Sequence, residues 1–271
     1  MVKARVDAAA PIGVFDSGLG GLTVAHAIMR RLPNESLIYF GDTARVPYGP
    51  KSPDTVRRYS REIAAFLLDQ GVKAIVVACN TATAHALPML RKELDVPVLG
   101  VVEPGARAAV RASRSGHIGV IATEGTIRSG AYERAIHAAA PAADVTALAC
   151  PLFVPLVEEG WTDHDATRLV AREYLGPVGR QGVDTLVLGC THYPLLKPLI
   201  ASVVGPAVQL IDSAEETAAD TERMLREHGL VTQSSEAVYR FIASDDPQQF
   251  LGLGQRFFGD TIERVEIHSF G

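Results

Sequence analysis

Two cysteines of this chain stand in matching surroundings. Ala78-Cys79-Asn80-Thr81-Ala82-Thr83 closes the apolar run 74–78, and Gly189-Cys190-Thr191-His192-Tyr193-Pro194 closes the apolar run 185–189. In each motif a buried strand would end at a thiol, with hydroxyls and an amide or imidazole where the following helix starts. Free backbone N–H groups at a helix N-terminus bind anions and favour a thiolate, so the pattern predicts a lowered pKa at Cys79. The bland alternative is a small apolar core residue, a common fate of free cysteine. At the second motif, His192 lies two residues past the sulfur and titrates near neutrality, so it can hold the proton balance of Cys190.

A carboxylate and a glycine-rich turn occupy Gly13-Val14-Phe15-Asp16-Ser17-Gly18-Leu19-Gly20-Gly21-Leu22-Thr23. A dinucleotide-binding G-x-G-x-x-G would need glycine where Thr23 stands, and no P-loop Gly-Lys-Ser/Thr follows, so nucleotide binding is not expected. Asp16 can bind a substrate ammonium or assist Cys79 in proton transfer, or it can simply cap the next helix. Gly41-Asp42-Thr43-Ala44-Arg45-Val46-Pro47-Tyr48-Gly49 reads as an active-site loop, or as an ordinary turn. Glu158 ends a helical stretch where acidic residues usually face solvent. Cys150 precedes a proline and reads as a packed structural thiol.

The elements that must position these groups follow from the periodicity. Short apolar runs at 12–15, 37–40, 74–78, 98–100, 118–122, 145–149, 185–189 and 208–211 alternate with helix-like stretches at 22–31, 55–70, 82–94, 104–113, 166–175 and 195–203. The runs are continuous rather than alternating, as in parallel strands buried on both faces, and an α/β architecture follows. The chain also echoes itself. Gly13-Val14-Phe15-Asp16-Ser17 returns as Gly119-Val120-Ile121-Ala122-Thr123, and the run before Cys79 returns before Cys190, at nearly the same offset. A duplicated α/β domain places one cysteine past the carboxyl end of a strand in each half, where open α/β sheets present ligand-binding groups. The expected division is 1–102 plus 212–271 for the first domain and 103–211 for the second, with a mostly helical polar tail packed back on the first. Within that tail, 238–243 reads as one extra strand and the glycine-rich 251–259 as a turn or loop.

Composition bounds the function class. Of 271 residues, 47% are hydrophobic and 21% charged, as in ordinary globular proteins. The net charge is −5 and the five lysines and 21 arginines form no basic block, so no nucleic-acid footprint is present. No apolar run reaches membrane-span length, and residues 1–10 lack the apolar stretch of a signal peptide, so a cytoplasmic location is expected. Three cysteines are too few and too widely spaced for a disulfide framework.

The motifs Phe15-Asp16-Ser17-Gly18 with Gly20-Gly21, Pro47-Tyr48-Gly49, Ala78-Cys79-Asn80-Thr81-Ala82 and Gly189-Cys190-Thr191-His192-Tyr193-Pro194 together resemble the glutamate racemase family over roughly residues 11–255. Either cysteine motif alone would be shared with the wider aspartate/glutamate racemase group. The resemblance implies two similar doubly wound domains related by pseudo-symmetry, with the active site between them. It implies cofactor-independent interconversion of L- and D-glutamate, supplying the D-enantiomer for peptidoglycan. It gives Cys79 and Cys190 the proton-transfer roles, with Asp16 supporting the first and His192 the second. Substrate contacts are implied for Asp16, Ser17, Tyr48, Gly49, Asn80, Thr81, Thr191 and His192, with Glu158 and Thr123 in second rank. Inversion at carbon needs a proton removed from one face and delivered to the other, which two opposed thiols can do. The weakly acidic α-proton also demands positioning and donors aimed at the carboxylate.

Competing readings keep part of this constellation. An aspartate or hydantoin racemase would share the mechanism and differ in its side-chain pocket. A zinc-dependent hydrolase would use Cys79, Cys190, His192 and Asp16 as ligands, although only Cys190 and His192 are closely spaced. A non-catalytic binding protein on duplicated α/β domains would leave the paired thiols without a purpose. No lysine among Lys3, Lys51, Lys73, Lys92 and Lys197 falls in these motifs, so pyridoxal phosphate chemistry is not expected and neither cofactor nor metal is assigned. The expected partner is the small-molecule substrate glutamate, without nucleic acid or membrane; a homodimer is left open.

Overall fold

The computed structural model describes residues 7–259 and 262–270; residues 1–6 of the stretch read above for a leader, Lys3 among them, lie outside it. In chain order the elements are β1 (Ile12–Asp16), α1 (Leu22–Arg31), β2 (Leu37–Gly41), α2 (Pro53–Asp69), β3 (Ala74–Val77), α3 (Asn80–Glu93), β4 (Val98–Gly100) and α4 (Val102–Ala112). They continue as β5 (His117–Ala122), α5 (Glu124–Ser129), α6 (Ala131–Ala139), β6 (Asp144–Ala149), α7 (Phe153–Glu158), α8 (Asp165–Arg180), β7 (Thr185–Gly189), α9 (Lys197–Val204) and β8 (Gln209–Ile211). The last are α10 (Ala214–Glu227), β9 (Tyr239–Ala243), α11 (Pro247–Phe258) and β10 (Val265–Ile267).

Two parallel sheets result, ordered β10-β9-β2-β1-β3-β4 and β6-β5-β7-β8. The second repeats the order β2-β1-β3-β4 of the first, and its register agrees with the sequence echo. Gly13 of β1 lies beside Ile75 of β3, and the echoing Gly119 of β5 lies beside Leu186 of β7. Continuous apolar strands are explained by helices on both faces. Ile12 and Val14 pack with α1 and α10, whereas Phe15 packs with α2 and α3. In the second sheet Ile118 and Val120 face α4 and α6, and Ile121 faces α7, α8 and α9. The segment after Ile211 returns to the first sheet, where β9 pairs with β2.

One expectation is corrected here. Residues 251–259, read as a turn for their glycines, are helical through Phe258. Asp246 accepts a hydrogen bond from the Gln249 backbone N–H at 2.9 Å and Pro247 opens the first turn, both strong helix-start signals. Phe250 is fully packed against the first core, and a side chain at Gly254 would collide with Ile262, so tertiary packing outweighs the helix penalty of glycine. The structure adds two short helices to those expected, α5 and α6, which Gly130, in the left-handed region at φ 64°, separates. The stretch 195–203 divides into a 3₁₀ turn, Tyr193–Leu196, and α9.

A buried ion pair ties the start of the first sheet together. Lys73, wholly buried, donates to the Glu35 carboxylate and, at 2.6 Å, to the Ala8 carbonyl, while Glu35 also accepts from the Thr232 N–H at 2.9 Å. Lys73→Met would leave Glu35 buried without its cation, at a cost of about 3–5 kcal/mol. The expected result is a matching drop in unfolding free energy by urea titration; an unchanged midpoint would show that the pair does not hold this edge.

Candidate active site

Each sheet changes winding direction beside its first strand, between β1 and β3 and between β5 and β7, and ligands of open α/β sheets bind outside the carboxyl ends of strands at such points. Asp16 ends β1 and Cys79 follows β3, where its sulfur caps α3 by accepting the Ala82 N–H at 3.4 Å. Thr123 follows β5 and caps α5, and Cys190 follows β7. All four strand ends thus deliver a residue singled out above.

These residues meet across the seam between the sheets. Thr191 donates to Asp16 Oδ1 at 3.3 Å, and the Cys79 thiol donates to Ser17 Oγ at 3.7 Å. The other Asp16 oxygen accepts the Gly18 and Gly21 N–H groups at 3.1 and 3.0 Å, so the carboxylate organises the glycine-rich turn and does not cap α1 with its neighbours in the usual way. Gly20 explains why that turn is glycine-rich: a Cβ there would stand 2.6 Å from Thr191 Oγ1 and 2.7 Å from His192 Nδ1. The turn after the first strand therefore lies directly against the second cysteine motif. His192 places Nδ1 3.8 Å from Cys190 Sγ and Nε2 3.2 Å from Glu158 Oε1, which brings the second-rank Glu158 into the cluster.

The two thiols stand in opposite fields. Cys79 is 5% exposed, and burial followed by the Asp16 charge pushes its thiol up to about 12, despite the Ala82 N–H and the Ser17 hydroxyl. The lowered value expected from its place at a helix N-terminus is thereby corrected: desolvation without a nearby cation outweighs the helix end. Burial likewise raises the Asp16 carboxyl, with His192 and the backbone N–H groups pulling back. Around Cys190 the balance differs. Burial lowers the His192 imidazole, but its hydrogen bonds and charge contacts with Cys190 and Glu158 prevail and carry it to about 10. An imidazolium consequently lies between sulfur and carboxylate.

Asn80 opens α3, and its side-chain oxygen accepts from the Tyr132 hydroxyl at 2.7 Å. Thr81 and Thr123 share hydroxyls at 2.8 Å, and both lie 3.1 Å from Thr126, a residue sequence reasoning missed, whose N–H the Thr123 hydroxyl accepts at 3.4 Å as the cap of α5. The Gly49 carbonyl accepts the Gly125 N–H at 2.9 Å. The Tyr48 hydroxyl is engaged with buried Asp42, which also accepts from Arg45 and Ser244, and the residue packs in the same apolar cluster as Cys79. Pro47, Gly49, Thr123, Val154, Pro155 and Glu158 line a cavity of about 290 Å³ between the two halves. Cys150 is buried, burial raises its thiol to about 12, and its carbonyl serves the Tyr193 hydroxyl at 2.8 Å. Cys79, Cys150 and Cys190 are all free thiols. Among the described residues, no group of three or more His, Cys, Asp or Glu side chains is placed to hold a metal ion. Lys73, the buried lysine, is committed to Glu35.

A fold of two like-wound parallel sheets with a thiol at one facing strand end of each defines a class that comparison identifies. Residues 19–221 match the model of the family described as Asp/Glu/Hydantoin racemase, and the chain belongs to that family. Within it the chain is 57% identical to a glutamate racemase of Geobacter metallireducens over 255 residues, 94% of either chain. The glutamate racemase of Thermus thermophilus, solved with β-chloro-D-alanine, superposes with a TM-score of 0.88 at 51% identity, covering 97% of this chain and 98% of that one. The Francisella tularensis glutamate racemase, solved with D-glutamate, gives 0.90 at 40% identity over 97% of this chain and 98% of its own. Racemases are isomerases, and the function sought is therefore an isomerisation.

Proposed function

We propose that this chain is a glutamate racemase that interconverts L- and D-glutamate without a cofactor, using Cys79 and Cys190 as acid and base on opposite faces of the α-carbon. The observation that carries the reading is the convergence of both cysteine motifs on Asp16, which accepts from Thr191 and raises the Cys79 thiol by its charge. Cys79 stands beside Asp16 and Cys190 beside His192, so each sulfur has its own partner for proton transfer. One sulfur removes the α-proton, the other returns a proton to the opposite face, and the next turnover in reverse exchanges their roles. Asn80, Thr81, Thr123 and Thr191 supply donors for the substrate carboxylates, where negative charge develops as the carbon is deprotonated. Asp16, Ser17 and Gly49 complete the contacts, and the 290 Å³ cavity is the way in.

The domains divide as 1–102 with 212–271, and 103–211, so that each contributes one thiol. Among the described residues no helix is long and apolar enough to cross a membrane, and free thiols suit a reducing cytosol, where D-glutamate is needed for peptidoglycan. Glutamate is the substrate suggested by the D-glutamate bound to the Francisella relative. The test is circular dichroism of L- and of D-glutamate incubated with the purified protein, with and without a chelator. Both enantiomers are expected to reach the racemate at unchanged rate with chelator, with aspartate slower by roughly 10–200-fold, the discrimination that one methylene supports. Turnover only of aspartate or a hydantoin, or only after metal or pyridoxal phosphate is added, would overturn the reading.

A further inference from the structure

Tyr132 lies on α6, beside the second sheet, yet its hydroxyl donates to Asn80, the first residue of α3 beside the first sheet. Both side chains are buried, at 1% and 3% exposure, and the bond of 2.7 Å is short and well formed. The ring occupies space left by two glycines. A Cβ at Gly189, the residue before Cys190, would stand 2.9 Å from the ring, and one at Gly105 would stand 3.2 Å from its hydroxyl. One side chain therefore presses on the backbone leading into Cys190 and holds the amide that follows Cys79.

The chemistry of the amide gives this contact a consequence. An asparagine side chain carries its acceptor oxygen and donor nitrogen in one plane, on opposite sides of the Cβ–Cγ axis. With the oxygen taken by Tyr132, rotation of the amide would exchange a satisfied acceptor for a buried one without a partner, which is unfavourable. The NH₂ is thus held facing away from Tyr132 as a donor.

We propose that Tyr132 is a positioning residue for racemisation: it fixes the Asn80 amide as a donor to substrate carboxylate and sets that donor in register with Cys190 through Gly189. The inference rests on the reading of Asn80 as a substrate contact given above. Tyr132 does not touch substrate and acts only through its two neighbours.

Four variants test it: Tyr132→Phe, Asn80→Ala, the double variant, and Asn80→Asp, which keeps an acceptor for Tyr132 but loses the donor. A donor that strengthens in the transition state appears in kcat, so Tyr132→Phe is expected to lower kcat about tenfold with KM changed less than about twofold. Asn80→Ala and Asn80→Asp are each expected to lower kcat about a hundredfold, and the double variant to match Asn80→Ala, because Tyr132 has nothing left to orient. Thermal unfolding of each variant confirms that it is folded. Multiplicative losses in the double variant, or an unaffected kcat in Tyr132→Phe, would overturn the positioning role while leaving Asn80 a substrate contact. Full activity of Asn80→Ala or Asn80→Asp would overturn both, and the Asn80→Asp arm decides even if Tyr132→Phe does not fold.

Discussion

Cys79→Ser and Cys190→Ser are each expected to reduce racemisation by about 10³-fold or more, the scale of a lost general acid or base. The two losses should differ in kind. In deuterated water, a variant that retains one thiol can still remove the α-proton from the enantiomer presenting hydrogen to that side. Once its S–H has exchanged with solvent, the same sulfur reprotonates the carbanion, so deuterium enters without inversion. Cys79→Ser and Cys190→Ser should therefore exchange opposite enantiomers. Proton NMR of the α-position, run in parallel with circular dichroism, separates exchange from inversion. The opposed fields described above sharpen the expectation, since Asp16 lies beside one sulfur and the His192 cation beside the other. Exchange of both enantiomers at equal rates in either variant would break the assignment of one thiol to each face. Full racemisation by either would remove that thiol from the mechanism.

His192→Asn should lower kcat by about 10²-fold, because it removes the proton-holding partner of Cys190 and strands Glu158 without its hydrogen bond. Glu158→Gln should have the same direction with a smaller effect, since the imidazole keeps its contact with sulfur. The same histidine makes stability depend on pH, with a definite sign. Its pKa rises from 6.5 in the unfolded chain to about 10 in the folded one, against the opposing effect of burial. Its charged contacts therefore contribute stability that is fully present below pH 6.5 and is lost as the pH climbs toward about 10. Cys79 and Cys150, both raised from 9.0 to about 12, add a loss of the same sign only above pH 9.0. Between pH 6.5 and 9.0 the unfolding temperature should fall in the wild type and fall less in His192→Asn. Parallel profiles for the two proteins would show that the imidazole is not held charged, and an undiminished kcat would remove it from proton transfer.

Much of the fold could be read from the chain because its signals are local. Strands buried on both faces appear as continuous apolar runs, and the eight runs marked from sequence fall on β1 to β8 within a residue or two at their ends. The repeat was legible for a related reason: both halves need glycine where β1 or β5 packs closely, at Gly13 against Val72 and at Gly119 against Val183 and Leu186. At α11 the glycines speak for a turn until Ile262 and the core close on them.

The cysteine motifs, the Asp16 turn and His192 were determined by the sequence alone, as residue types at a strand end followed by a helix start. Tertiary structure decided how those pieces act on one another. The charge state around Cys79 reverses the local expectation, for the helix end acts over one turn whereas burial and Asp16 come from the fold. The partners Glu158 for His192, Tyr132 for Asn80 and Thr126 for Thr81 join residues 34, 52 and 45 positions apart. Periodicity reports only which side of its own element a residue occupies. Which distant element closes on that side is set by the packing of the two sheets, and the chemistry of this site is made at that closure.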